Sequence, residues 1–232
     1  MLESCWPTWS GCCRCKRNTL LAITVDGDET ARFADDAEAA GWRVHRANIA
    51  GRVSCPTLVR AALESVATSY VIRIDGDTFT EEHPGRAVAA ARHADADLCG
   101  VRSHVSKRER LIERLQAVEY EMSMLGRRNR PWMTSGAAMV AKTQVLKGIL
   151  DHHSGWFPGE DIETGVIANH FKLRVRHIDF VFLRVARHVP HVVSPATHVV
   201  VGKLPYGVRQ CRSDRPLPDH VCVHRGALTR CC

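Results

Sequence analysis

Between about residues 19 and 185, short apolar, β-branched runs alternate with Ala-rich stretches of helix formers, and this alternation restricts the chain to an α/β layered fold. The run TLLAITV (19–25) stops at Asp26-Gly27-Asp28, which reads as a buried strand and a turn. Residues 30–40, TARFADDAEAA, favour a helix ending at Gly41, and WRVHRA then alternates like a short strand. TLVRAALESVAT (57–68) is helical by composition, SYVIRI (69–74) is apolar and β-branched, and an Ala-rich helix (about 84–94) precedes a strand near 96–101. This succession predicts a mostly parallel sheet flanked by helices. From Lys107 on, Leu111, Leu115, Val118, Met122 and Leu125 recur every four and three residues, so one apolar stripe should cover the core. Past the basic group Arg127, Arg128 and Arg130 come a break at Pro131-Trp132, a strand GAAMVA (136–141) and a helix near 143–150. The loop Gly155-Trp156-Phe157-Pro158-Gly159 then leads into Glu160-Asp161 and a helix to about Phe171.

With 232 residues, 45% of them hydrophobic, the chain can bury a core and form one main domain. Residues 172–232 hold 11 basic against 3 acidic side chains, so the net charge of +7 resides in the tail. That tail has only Phe180, Phe182 and Tyr206 as aromatics and no recognition motif, which disfavours nucleic acid as a partner. The longest apolar stretch, Phe180 to Val201, is interrupted by Arg184, Arg187, His188, His191 and His198, too often for a membrane span. In the opening MLESCWPTWSGCCRCKR the basic cluster follows the weakly apolar run, the reverse of a secretory signal, so a cytoplasmic protein is expected. Eight of the ten cysteines lie near the two ends, without the paired spacing that zinc needs, and reduced thiols are expected there. The chain therefore divides into a Cys-rich leader (1–18), a regular α/β domain (19–185) and a basic, weakly structured extension (186–232).

Three acidic sites stand at the ends of these elements: Asp26, the pair Asp75 and Asp77, and the pair Glu160 and Asp161. In α/β sheets ligands bind beyond the carboxyl ends of the strands, where the first two sites fall. Residues i and i+2 of an extended segment point the same way, so Asp75 and Asp77 can face one hard cation, Mg²⁺ or Mn²⁺, together with substrate phosphates. Asp-Gly-Asp is also ordinary turn chemistry. From the sequence alone Asp161 reads first as a helix N-cap, and the same residue can also serve as a general base for a hydroxyl nucleophile. Ser135 lacks a nucleophile-elbow setting, no phosphate-binding Gly-rich loop occurs, and His188, His191 and His198 lack metal-ligand spacing.

Taken in order, VDGD (25–28), IDGDT (74–78), ERLQAVEYEMSMLGRR (113–128), SGAAMVAK (135–142), FPGEDIETG (157–165) and the LRVRHIDFVF that follows resemble the family 2 glycosyltransferases, in particular the cellulose-synthase-like and hyaluronan-synthase-like branch. The resemblance covers roughly residues 20–185. It implies a GT-A-type, Rossmann-like nucleotide-sugar-binding domain, a divalent cation and inversion at the anomeric carbon by direct displacement. By the same resemblance Asp26 contacts the donor base, Asp75 and Asp77 form the Asp-x-Asp motif, Asp161 is the base and Glu160 its partner. Arg52, after Gly51, stands where the family often has Lys in a donor-contacting segment, and Ser135 and Gly136 match the loop before the acceptor-side strand.

The family's first strand has no counterpart upstream of Thr19, and the Gln-x-x-Arg-Trp motif of processive members shrinks to Gln210-Cys211-Arg212. The expected partners are a nucleotide-sugar donor and a glycan or lipid-linked acceptor, the latter allowing peripheral association at the cytoplasmic face of a membrane. The competing expectation is a truncated, non-catalytic remnant of the same fold that binds nucleotide or a partner.

Overall fold

The protein is seen in a computed structural model that describes residues 19–25, 27–47, 54–76, 78–106, 108–155, 159–184 and 199–203. β1 (Thr19–Thr24) is buried at every position, leads into α1 (Asp28–Ala39), and pairs in parallel with β2 (Arg43–Ala47). α2 (Cys55–Leu63) starts with Pro56 in its first turn, where a missing N–H is tolerated, and buries Leu58, Val59, Ala62 and Leu63. After β3 (Tyr70–Asp75) come the two-residue β4 (Thr78–Phe79), α3 (Gly85–His93) and β5 (Leu98–Val105). α4 (Leu111–Asn129), β6 (Ala138–Lys142), α5 (Thr143–Asp151), α6 (Glu160–His170), β7 (Val175–Arg184) and β8 (Val199–Lys203) complete the described elements.

All eight described strands join one sheet in the order β2-β1-β8-β3-β6-β5-β7-β4. The sheet is not the mostly parallel one expected from the sequence: β1, β2, β3, β5 and β7 run one way, but β8 and β6 are inserted between them. β8, β6 and β4 run against them, so most neighbouring pairs are antiparallel and the sheet is mixed. The α/β fold class, GT-A-like and Rossmann-like, is the one expected.

Period-2 alternation splits the core between the two faces of the sheet. Leu20, Ala22, Val71, Met139 and Ala141 pack with Leu58 and Leu63 of α2, Leu146 and Ile149 of α5 and Ala168 of α6. Leu21, Ile23, Ile72, Ile74, Val140 and Phe182 pack on the other face with Ala34 and Ala37 of α1 and Ala87, Val88 and Ala91 of α3. Because both faces are covered, the central strands read as unbroken apolar runs.

Two further expectations change. Val199–Lys203, assigned from the sequence to a weakly structured extension, is a strand lying between β1 and β3 and antiparallel to both. Five residues with a Val-Val-Val run suffice for a strand, however many charges and histidines precede them. The stripe of α4, expected to cover the core, is exposed: Leu111 is 74% accessible, Leu115 57%, Val118 54%, Met122 67% and Leu125 62%. The opposite side of α4 is buried instead, through Glu113, Ala117 and Met124. Periodicity identifies an apolar face without saying what it meets. The buried side is the one that packs Ala117 against Val105 of β5, while the Glu113 carboxylate accepts the backbone N–H groups of Glu109 (2.8 Å) and Arg110 (3.0 Å) and so caps the helix start. Among the described residues, no helix is long and apolar enough to cross a membrane.

Candidate active site

A cavity of about 420 Å³ opens where the end of β3, the start of α6, the inner side of α4 and the segment before β6 meet. Asp75, Ser135, Gly136, Glu160 and Asp161 all line it, so the structure brings together every expected site residue that it describes. Asp26, Arg52 and Asp77 lie outside the described residues.

β3 supplies two of the charged walls. Val71, Arg73 and Asp75 share one side of the strand, with Val71 in the core and Asp75 at the rim. Between them Arg73 is 5% exposed. Its Nη2 donates to Asp75 Oδ1 at 3.2 Å and to Cys55 Sγ at 3.1 Å, and lies 3.5 Å from Glu160 Oε1. A buried guanidinium persists only when paired, and these groups supply the pairing. Burial works against its charge, but Cys55, Asp75, Glu160 and Asp161 outweigh that and raise the Arg73 pKa. Burial also pushes the Cys55 thiol up to about 12, so at neutral pH it meets Arg73 as a neutral thiol.

α6 supplies the carboxylates of the other motif. Gly159 precedes it at φ 127°, a conformation that favours glycine, and Glu160, Asp161 and Glu163 fill the first turn, where the helix dipole favours negative charge. The segment before β6 clasps this turn: the Thr134 hydroxyl donates to the Asp161 carbonyl, and the Gly136 N–H donates to Asp161 Oδ2 at 3.0 Å. Arg127 Nη2 of α4 lies 3.7 Å from the same Oδ2. Burial lowers the Arg127 pKa, and Asp161 opposes that. One turn further on, a Cβ at Gly165 would overlap the Trp132 carbonyl, so only glycine lets α6 approach this closely. On the outer side the Ser154 N–H and hydroxyl each donate to Glu163 at 2.8 Å.

Asp161 therefore does not cap its helix with its side chain. It reaches across to Gly136 and Arg127, with no acceptance at Oδ1 among the described residues, and can take a proton there. Asp75 offers a hard oxygen donor at the cavity rim. Among the described residues no three His, Cys, Asp or Glu side chains form a complete ligand set. The oxygen chemistry of Asp75 fits a divalent cation that would draw its remaining ligands from water and substrate phosphates.

Arg73, Arg127, Tyr120, Ser123 and Glu119 also line the cavity and were not singled out from the sequence as site residues. Arg73 carried a signal, a lone charge within the apolar strand YVIRID. Arg127 sits among Arg128 and Arg130 and had none.

Solved structures to which the chain is similar include a mycobacterial protein, 18% identical with a TM-score of 0.42, the match covering 72% of this chain and 56% of that one. Another is glucosyl-3-phosphoglycerate synthase from Mycobacterium tuberculosis in complex with Mn²⁺, UDP-glucose and phosphoglyceric acid. It is 17% identical with a TM-score of 0.42, covering 72% of this chain and 59% of that one. The same enzyme with Mn²⁺, UDP and phosphoglyceric acid is 16% identical with a TM-score of 0.42, covering 72% and 58%. The chain thus spans less than two thirds of the length of each. No curated protein matches it by sequence. The family model described as glycosyltransferase like family 2 matches residues 17–204, from just before β1 to just past β8, and the chain belongs to that family.

Proposed function

We propose that the protein is an inverting glycosyltransferase that moves a sugar from a nucleotide-diphosphate-sugar donor to a hydroxyl of a glycan or lipid-linked acceptor. The observation that carries this reading is the convergence of Asp75, from β3, and Asp161, from α6, on one cavity. Direct displacement requires these two tasks side by side: a clamp at the leaving diphosphate and a base at the attacking hydroxyl. In this reading Asp75 and Asp77 hold Mg²⁺ or Mn²⁺. The cation would offset the charge that develops on the leaving diphosphate.

Asp161 Oδ1 takes the acceptor's proton while the hydroxyl oxygen bonds to the anomeric carbon. The bond from that carbon to the phosphate oxygen breaks on the opposite side, and its electron pair leaves with the nucleoside diphosphate. The Gly136 N–H and Arg127 hold Oδ2, which fixes the plane of the carboxylate during the transfer. Glu160, drawn back by Arg73, supports Asp161 from the adjacent position. Tyr120 gives the α4 wall an aromatic face for the acceptor.

The test is a thermal-shift screen of nucleotide sugars with and without Mn²⁺, followed by transfer assays on the hit. Asp161→Asn is expected to lower turnover by about 10²–10⁴ with donor affinity retained. Native turnover in that variant removes Asp161 as the base, with Glu160 next in line. Donor binding without any transfer by the wild type would instead support the non-catalytic remnant.

A further inference from the structure

We propose that Arg73 competes with the divalent cation for the Asp75 carboxylate and keeps Glu160 as the partner it retains when the cation takes Asp75. The inference rests on the reading of Asp75 as a ligand of that cation. Arg73 and Asp75 stand two residues apart on one side of β3, and Arg73 Nη2 donates to Asp75 Oδ1 at 3.2 Å. A divalent cation bonds a carboxylate oxygen at roughly 2 Å, so one bound by Asp75 lies within a few ångströms of a guanidinium that is always charged. Two positive groups this close repel strongly away from bulk water. Either Arg73 yields Asp75 or the two share it, and both weaken the hold on the cation.

The geometry suits a partner that can let go. Arg73 meets Asp75 through one hydrogen bond instead of the parallel pair that a guanidinium can offer. The same Nη2 also donates to Cys55 Sγ at 3.1 Å and lies 3.5 Å from Glu160 Oε1, so three acceptors divide its two hydrogens. The Nε–H is buried without a hydrogen-bond partner among the described residues. A buried guanidinium stripped of every anion would be strongly destabilising, and Glu160 prevents that outcome: it stays within reach of Nη2 when Asp75 turns to a cation. Arg73 itself is 5% exposed on an interior strand of the sheet, so it cannot escape into water. A cation on its own therefore meets a carboxylate already partly neutralised and binds weakly. A nucleoside diphosphate brings negative charge that offsets the repulsion, so cation and donor strengthen each other.

Titration of the full chain with Mn²⁺ alone, free Mn²⁺ being read by electron paramagnetic resonance, provides the test. Arg73→Met is expected to bind Mn²⁺ at least about 10-fold more tightly than the wild type, while Arg73→Lys, which keeps the charge, should stay within about threefold of it. A merely structural role predicts the opposite sign, because a loosened site binds the cation less well. No tightening in Arg73→Met, or equal tightening in Arg73→Lys, would overturn the proposal. Glu160→Gln reads the same competition with Arg73 in place. Without its second anion Arg73 should hold Asp75 more firmly and weaken Mn²⁺ roughly several-fold, and an unchanged affinity overturns the proposal even where Arg73→Met does not fold. Asp75→Asn separates this inference from the reading beneath it. Added to Arg73→Met it should abolish the gain, and Mn²⁺ bound equally well without the Asp75 carboxylate would remove both. Binding that needs Asp75 but ignores Arg73 would overturn this inference alone.

Discussion

One wall of the cavity, built by β3 and α6, is fastened by backbone contact and buried charge, whereas α4 on the other side meets the body of the protein through the narrow strip of Glu113, Ala117 and Met124. α6 lies against the Trp132 carbonyl at Gly165, is gripped by Thr134 and Gly136, and buries Ala168 in the main core. α4 buries Glu113, Met124 and Ala117, the last beside Val105 and Tyr120, and leaves the stripe from Leu111 to Leu125 in solvent. The difference divides the labour of the site. In the proposed reading Asp75, Glu160 and Asp161, whose distances the transfer would depend on, stand on the fastened wall, and Glu119, Tyr120 and Ser123, which would meet the acceptor, stand on the other.

Gly165→Ala strikes the fastened wall hardest. The new Cβ has no room beside the Trp132 carbonyl, which is backbone and cannot turn aside, so α6 must move away from the 132–136 segment. A loss of about 4 kcal/mol or more is expected, read as a fall in the urea midpoint together with loss of donor binding. A variant of native stability would mean that the close approach is not maintained in solution.

Arg73→Met tests the buried charge in the same wall. Removing the guanidinium leaves Asp75 and Glu160 without their common partner, and a loss of roughly 3 kcal/mol is expected, the lower end for a broken buried pair because both carboxylates are about a quarter exposed. Arg73→Lys keeps the charge but not the planar fork, so it should recover only part of this. If both variants unfold at the wild-type urea midpoint, Arg73 does not hold the wall together.

The two walls also differ in how far the amino-acid sequence disclosed them. β1 and β3 were legible because strands buried on both faces leave continuous apolar runs, and the Asp-Gly-Asp turn after β3 marks the strand end at the cavity. The order of motifs led to Asp75, Ser135, Gly136, Glu160 and Asp161 before any coordinates, and these five line one cavity. What each contributes to catalysis is still a proposal. Arg73 escaped because local pattern cannot name the partners that make a buried charge tolerable. They come from α2 and α6, far along the chain. The direction of α4 escaped for a related reason, since its stripe fixes a face but the choice between core and solvent is made by the elements beneath, Val105 of β5 among them. β8 escaped because its pairing with β1 and β3 is set by the sheet and not by its own five residues.

Acid should loosen the fastened wall through Glu163. Burial tends to raise its pKa, but the two hydrogen bonds from Ser154 and the nearby His153 outweigh this, and the net shift is downward. A carboxyl held below its unfolded-state value of about 4.3 adds stability at pH above that value, and this contribution is lost as pH falls through the folded-state value. Glu163→Gln should therefore lower the urea midpoint at about pH 7, and the gap to the wild type should narrow as the pH falls below about 4.3. A gap that does not narrow would mean that the carboxylate charge is not what holds Ser154.

The smallest effect belongs to α4 and has the opposite sign. Gly126→Ala makes the same chemical change as Gly165→Ala, also within a helix, yet nothing lies within 4 Å of the new Cβ. With no neighbour to displace, the backbone entropy of glycine decides the outcome, and alanine should stabilise the helix by about 0.5–1 kcal/mol. Chemical denaturation measures the change. The mutation leaves Arg127 in register, so donor binding should be unchanged. If Gly126→Ala destabilises the protein as Gly165→Ala does, then α4 is packed against something at this position, and the contrast between a fastened and a free wall fails.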